Sequence, residues 1–123
     1  MVMMGMKYPM RLATFNILHG RTVGDGVEVG KLQDCVRAID ADVLALQEVD
    51  LEQPRSGMAD LTAVAADAMG AVSHRFVAAI AGTPGATWIA ATGHEQPGAA
   101  AYGISLLSRF PASRSFNAAG ELR

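Results

Sequence analysis

Cysteine is almost missing from this sequence of 123 residues, which contains only Cys35. An intrachain disulfide cannot form, and a reducing, cytoplasmic environment is the default expectation. No CxxC or HExxH pattern occurs, which argues against a zinc site. The GxxxxGK[ST], GxGxxG and G-x-S-x-G motifs are also absent, which argues against P-loop, dinucleotide-binding and serine-hydrolase sites. Cys35 falls within a helical pattern of apolar residues, so we expect it to be a small core residue.

Long apolar runs and an excess of positive charge are missing as well. No apolar run reaches the ~18 residues that a membrane-spanning helix needs. Residues 1–10 lack the apolar segment of a signal peptide, and we interpret them as a loose leader. The net charge of -2 does not indicate the broad basic face with which proteins bind nucleic acid. A local basic patch stays open, because Arg11, Arg21, Lys31 and Arg55 lie in the first half of the chain.

Apolar periodicity predicts one small domain in which strands and helices alternate. Helices are expected at 29–40 and 60–69, and strands at 11–17, 43–46, 75–81, 87–92 and 102–108, with an edge strand near 115–116. The first strand, the first helix and the second strand follow one another closely enough to form a βαβ or related unit. The fold class expected from this order is α/β or α+β.

Polar residues with metal-ligand chemistry follow the first two predicted strands. Asn16 lies at the end of the first, and Glu48 follows the apolar run of the second. A partly desolvated carboxylate needs a cation or a donor nearby, and Mg²⁺ binds through one or two carboxylates, waters and substrate phosphate. The pair therefore predicts the start of a metal-dependent hydrolase site. An ordinary solvated Glu and an Asn that bonds its own backbone are the alternatives.

Three further residues lie near this pair in the sequence. Arg55 follows the Glu48 loop, and its guanidinium is suited to binding phosphate bidentately, although a plain surface arginine fits equally. His19 follows Asn16, and a lone loop histidine is usually solvent-exposed or locally bonded. Strand alternation places Gln47 on the opposite side from Glu48, so we interpret Gln47 as structural.

Three segments together resemble the endonuclease/exonuclease/phosphatase superfamily, namely TFNILHG at 14–20, DVLALQEVD at 42–50 and YGISLLSRFP at 102–111. The Arg-Ser-Gly at 55–57 resembles the small bacterial members. The resemblance implies a metal-dependent phosphohydrolase that acts on phosphodiesters or phosphomonoesters. It also implies a four-layer α/β sandwich, in which two sheets pack face to face with helices outside.

The resemblance assigns roles to four residues of this sequence. It implies that Glu48 binds the metal, that Asn16 contacts both the metal site and phosphate, and that Arg55 and His19 contact the substrate. The metal would be Mg²⁺, although Mn²⁺ suits the same oxygen ligands. The family form Tyr-Gly-Asn is broken by Ile104, so any polar contribution from that position is lost.

The resemblance covers residues 11–111 and corresponds to the first part of the family domain. The later Asp-x-Asn segment and the Asp-His pair, which in the family position the attacking water and act as general base, have no counterpart here. We therefore expect residues 11–123 to form one mixed or mainly antiparallel sheet with two covering helices, and to show little turnover alone. The other sheet face would be an uncovered apolar patch that favours homo-oligomers.

Two alternatives to an ordinary hydrolase remain open. The chain could be a truncated homologue that acts as an oligomeric or partner-binding module. It could also be one half of an enzyme that becomes active when a separate polypeptide supplies the rest.

Overall fold

The computed structural model describes residues 9–22, 26–83, 88–95 and 98–114. Its elements in chain order are β1 (Leu12–Asn16), α1 (Val29–Ile39), β2 (Val43–Leu51), α2 (Leu61–Met69), β3 (Ser73–Ala81), β4 (Ile89–Ala90) and β5 (Ala101–Ser108). Short 3₁₀ turns at Leu18–Gly20 and Pro54–Ser56 follow β1 and β2. The edge strand predicted near 115–116 lies outside the described residues. None of the described helices has the length and apolar character to span a bilayer.

The strands form a single mixed sheet in the order β1-β2-β5-β3-β4. β1 and β2 are parallel, with α1 as the crossover between them, whereas the other neighbours are antiparallel. Parallel neighbours need such a crossover, because a tight hairpin reverses the chain direction. The α/β class and the βαβ unit are therefore confirmed.

Both helices begin and end near the predicted residues. Asp60 caps α2, since its side chain accepts a hydrogen bond of 3.0 Å from the backbone N–H of Ala63. Gly70 ends α2 in the left-handed conformation at φ 72°, which glycine adopts at little cost. In α1 the side chains of Leu32 and Val36 are buried against the rest of the core.

The core lies between the helices and one face of the sheet. Its largest contributors are apolar side chains of both helices and of the central strands β2 and β5: Leu32, Val36, Leu44, Leu46, Val49, Leu61, Met69 and Leu107. Burial of this apolar surface is the main stabilising contribution to such a domain.

The prediction that Cys35 is a core residue is wrong, because Cys35 is exposed. Helix α1 packs chiefly against α2 rather than against β1. The side of α1 that carries Cys35 therefore borders a groove of about 310 Å³. The groove is also lined by Phe15 of β1 and by Ile17, which follows that strand.

The second face of the sheet exposes large apolar side chains. Leu12 is 68 % exposed, Val77 46 %, Ile104 54 % and Leu106 53 %. Ile104 lies opposite Val77, and Leu106 lies opposite Ala45 and Arg75, so these residues share one surface of the sheet. Leu12 of the edge strand β1 lies opposite Val43, two residues before Ala45, and so faces the same side. We call this surface, defined by Leu12, Val77, Ile104 and Leu106, the open face.

Candidate functional site

The parallel pairing of β1 and β2 places Asn16, the last residue of β1, beside the part of β2 that carries Glu48. The two strands run parallel, and Asn16 lies opposite Gln47. The pairing continues one step further, because the N–H of Ile17 donates to the carbonyl of Gln47 at 3.1 Å. Asn16 and Glu48 are thus one residue out of register on adjacent strands.

Glu48 lies within β2 rather than after it, contrary to the prediction that the strand ends at Leu46. Pairing with β5 shifts register between Leu46 and Val49 and then continues to the end of β2. Glu48 occupies this bulge with φ 56°, a conformation that costs a non-glycine residue about 1–2 kcal/mol. A bulge interrupts regular alternation, and a short apolar pattern does not reveal that pairing resumes beyond it.

The bulge also removes the argument from strand alternation that predicts a structural role for Gln47. Regular alternation from Gln47 to Glu48 does not hold at a register shift. Gln47 lies beside Asn16, and its amide exchanges hydrogen bonds of 2.9 and 3.1 Å with the hydroxyl of Thr14. These contacts join β1 to β2, which suits a structural role for Gln47.

Asn16 is exposed, and its side-chain oxygen accepts a hydrogen bond of 3.0 Å from the N–H of Leu18. This is the local turn bond of the alternative interpretation, in which Asn16 bonds its own backbone. An amide oxygen has two lone pairs, so one remains for a cation or a water. The metal role of Asn16 therefore stays a prediction.

Arg55 forms a bidentate ion pair with Asp50 and is not an unpaired surface arginine. Its Nε donates to Oδ2 of Asp50 at 2.9 Å, and its Nη2 donates to Oδ1 at 2.7 Å. The hydroxyl of Ser56 donates to Oδ2 as well, at 3.0 Å. The hydrogen bonds to Asp50 raise the pKa of Arg55, so the guanidinium is permanently charged.

Sequence reasoning assigned no role to Asp50, although Asp50 is 0 % exposed. Aspartate followed by Arg-Ser five residues later is a spacing that could have indicated the pair. The spacing alone does not reveal that a 3₁₀ turn folds Arg55 and Ser56 back onto the strand.

Tyr102 completes the site on the next strand. It lies opposite Asp50 in the sheet, and the guanidinium carbon of Arg55 is 5.3 Å from the centre of its ring. On another side the ring meets Trp88 edge-on at 5.9 Å. Burial and the negative charge of Glu48 raise the pKa of Tyr102, while Arg55 opposes that effect. The sequence pattern alone indicates only that Tyr102 begins a strand.

His19 also lies at this site, and we call Glu48, Asp50, Arg55, Tyr102 and His19 together the cluster. It lies in the 3₁₀ turn after β1 with φ 45°. Burial lowers the pKa of His19, and the positive charge of Arg55 lowers it further, whereas Asp50 and Glu48 raise it and Arg21 lowers it. The imidazole is therefore predominantly neutral at pH 7, the form that can accept a proton or bind a cation.

Substitution of Arg55 by glutamine should raise the pKa of His19. The change removes a nearby positive charge and leaves the negative charge of Asp50 unpaired, and both effects favour the imidazolium form. An NMR titration of the imidazole signals measures the shift, with His19→Gln used to assign the His19 signal. A midpoint that stays constant or falls would show that Arg55 and His19 do not interact.

Gln53 anchors the loop that carries Arg55 through side-chain hydrogen bonds. Its side chain is fully buried, and its Nε2 donates to the carbonyls of Gly82 at 2.6 Å and Ala101 at 3.1 Å. These acceptors lie just after β3 and at the start of β5. The loop after β2 is thereby held against the sheet edge that carries Tyr102.

The oxygen donors at this edge suit a hard cation but are few. Glu48 supplies a carboxylate and Asn16 an amide oxygen, whereas the carboxylate of Asp50 is occupied by Arg55 and Ser56. Across the described ranges, no three side chains of His, Cys, Asp or Glu gather as metal ligands. Mg²⁺ frequently keeps several waters and binds through one or two carboxylates with substrate phosphate. The residues therefore fit a water-rich magnesium site rather than a closed metal centre.

Comparison with known proteins supplies a family for these features. Residues 13–119 match the model of the endonuclease/exonuclease/phosphatase family. A solved structure described as an endonuclease/exonuclease/phosphatase from Beutenbergia cavernae DSM 12333 has a similar fold, with a TM-score of 0.59 and 24 % sequence identity. The match covers 88 % of this chain and 27 % of that one. No protein of curated function matches the sequence.

Proposed function

Because the chain belongs to the endonuclease/exonuclease/phosphatase family, we propose that it is part of a Mg²⁺-dependent phosphoester hydrolase. The observation that supports this proposal best is geometric: Glu48 lies on β2 two residues before Asp50, and Asp50 and the Tyr102 ring hold Arg55 at the same end of the sheet. A carboxylate for a hard cation lies beside a permanently charged guanidinium for phosphate. The chain spans about a quarter (27 %) of the length of the similar structure. Hydrolysis by a whole protein that contains this chain is therefore stated as a proposal.

Each residue has a distinct part in the proposed reaction. Glu48 would hold the cation, and Asn16 would orient the cation or a phosphate oxygen. Arg55 would neutralise phosphate charge, and the neutral His19 would contact the substrate. When bound, the metal supplies polarisation of the phosphoryl oxygen and stabilises the leaving group.

The substrate is proposed to be a small phosphoester. The net charge of -2 gives little attraction for long nucleic acids, whose binding relies on neutralised phosphates. Both phosphodiesters and phosphomonoesters fit the cluster, since each presents the oxyanions that Arg55 can bind.

A titration with Mg²⁺, followed through Trp88, tests the proposed metal site. Trp88 is the only tryptophan, and it contacts Tyr102 beside the cluster. We expect saturable binding that EDTA reverses, together with little hydrolysis of bis(4-nitrophenyl) phosphate or 4-nitrophenyl phosphate. No binding of Mg²⁺ or Mn²⁺ would contradict the proposed function. Robust hydrolysis that Glu48→Ala abolishes would contradict only the expected inactivity.

The DNA that follows the codon for Arg123 distinguishes this proposal from its two alternatives. A continuing reading frame that encodes an Asp-x-Asn segment and a later Asp-His pair would favour a fragment of an ordinary enzyme. An immediate stop codon, with neither motif nearby, would argue instead for a truncated homologue or a half that needs a second polypeptide.

The open face supports a second candidate function, a self-associating or partner-binding module. Four large apolar side chains on one surface are each between 46 % and 68 % exposed. Contiguous apolar patches of this kind mark interaction surfaces. A homo-oligomer formed through the open face would bury them.

Changing Ile104 and Leu106 together to lysine should convert such an oligomer into a monomer. Sedimentation velocity measures the change, and the free energy of unfolding should change little because both side chains are more than half exposed. Val72→Lys, at an exposed position before β3, is the matched control and should leave the association state unchanged. A wild-type chain that is monomeric at high concentration would exclude self-association.

A further inference from the structure

Asp50 carries a buried charge that the proposed reaction does not explain. Its side chain is 0 % exposed, and a buried carboxylate is costly unless it is paired and hydrogen-bonded. Well-packed apolar residues often replace buried ion pairs without loss of stability. Stability alone is therefore a weak reason for an aspartate at this position.

The ion pair determines which edge of Arg55 is available to a ligand. Asp50 occupies the edge formed by Nε and Nη2. A guanidinium has five N–H donors. The edge formed by Nη1 and the second N–H of Nη2, which we call the Nη1 edge, can therefore still bind a second partner bidentately. Among the described residues, no acceptor is hydrogen-bonded to that edge. The side chain of Arg55 is 31 % exposed, so solvent reaches it.

Two groups fix the plane of the guanidinium. The carboxylate of Asp50 holds one edge, and the ring of Tyr102 lies 5.3 Å from the guanidinium carbon. Arginine ordinarily loses several rotatable bonds on binding a ligand, and a side chain fixed beforehand loses less entropy. Arg55 is thus prepared for an anion in a way that an isolated surface arginine is not.

We propose that Asp50 is the positioning residue of an anion site, in which it holds Arg55 so that the Nη1 edge binds a phosphate group. The proposal rests on the proposed function and deepens it, because it identifies how the phosphate of the substrate is recognised. The rival explanation is purely structural: Asp50 also accepts from Ser56 and thereby braces the turn at Pro54–Ser56. That rival predicts lower stability with no specific effect on phosphate affinity.

Asp50→Asn separates the two explanations in the full chain. It keeps the side-chain shape but removes the charge that holds Arg55. We expect the affinity for inorganic phosphate, followed by Trp88 fluorescence, to fall by up to about tenfold, because an Arg55 side chain that is no longer held must be ordered when phosphate binds. Asp40→Asn is the matched control, because it removes a carboxylate 2.9 Å from Arg109, outside this cluster. Asp40→Asn should leave phosphate affinity unchanged.

A double-mutant cycle with Arg55→Lys shows whether Asp50 acts through Arg55. Lysine keeps the positive charge but lacks the planar fork, so Asp50→Asn should have no further effect on phosphate affinity in that background. An equal loss in both backgrounds would overturn the proposal. Unchanged affinity in Asp50→Asn alone, or no phosphate binding by the wild-type chain, would overturn it as well.

A measurement on the wild-type chain covers the case in which Asp50→Asn does not fold. The NMR signal of the Arg55 Nε–H should exchange slowly with solvent and should persist when phosphate is added, while the Nη signals shift. Loss of the Nε–H protection on phosphate addition would overturn the proposal. Mg²⁺ binding and its dependence on Glu48 are measured separately, so failure of this inference is distinguishable from failure of the proposed function.

Discussion

Replacing Gly103 with alanine is expected to lower the free energy of unfolding by about 3 kcal/mol or more, or to prevent folding. Gly103 lies in β5 between Val49 of β2 and Ala78 of β3, where the register of both pairings shifts. A Cβ added there would overlap the carbonyl oxygen of Val77 and would lie 2.9 Å from Cα of Ala78. Both are backbone atoms, which cannot rotate away as a side chain could.

Urea denaturation followed by circular dichroism measures this loss. Gly30→Ala is the matched control, because a Cβ at this position of α1 meets nothing within 4 Å. Alanine in a helix is favoured over glycine by about 1 kcal/mol, so Gly30→Ala should be neutral or stabilising. A Gly103→Ala chain as stable as the wild type would show that the close approach of β3 and β5 is not required.

Glu48→Gln is expected to lower the affinity for Mg²⁺ by about 100-fold or more while leaving the stability nearly unchanged. Substitution of groups that merely orient metal ligands costs about 10–100-fold, and loss of the proposed carboxylate ligand should cost at least as much. Isothermal titration with Mg²⁺ or Mn²⁺ measures the affinity. A Glu48→Gln chain with wild-type affinity would exclude Glu48 as a ligand.

Glu48→Gly tests whether the backbone strain at this residue serves function. Glycine relieves the cost of φ 56°, so stability should be unchanged or higher by about 1 kcal/mol, although metal affinity is lost. Glu52→Gly is the control, because Glu52 also has positive φ, at 52°, but is not a proposed ligand. It should leave metal affinity unchanged. A clear loss of stability in Glu48→Gly would indicate a structural role for Glu48.

The elements that depend on near neighbours in the chain were predictable. The helical stripe around Leu32 and Val36, the cap at Asp60 and the stop at Gly70 all follow from local periodicity and backbone preference. The placement of Asn16 and Glu48 on adjacent strands also follows, since a βαβ unit pairs its two strands in parallel. Each of these inferences uses residues that are close in sequence or joined by one crossover.

The features that depend on distant pairing were not predictable in the same way. The bulge at Glu48 exists because β2 resumes pairing with β5, more than fifty residues away. The exposure of Cys35 arises because α1 packs against α2 and leaves β1 partly uncovered. The local sequence pattern indicates neither the strand with which β2 pairs nor the helix against which α1 packs.

The sequence by itself determined that this is an α/β protein of the endonuclease/exonuclease/phosphatase family with Asn16 and Glu48 on neighbouring strands. Apolar periodicity and short motifs carry that information, because backbone geometry converts them directly into strands and helices. Only the tertiary structure decided that Asp50 holds Arg55 against Tyr102. That arrangement requires a turn and two paired strands to meet, so its chemistry exists only once the chain has folded.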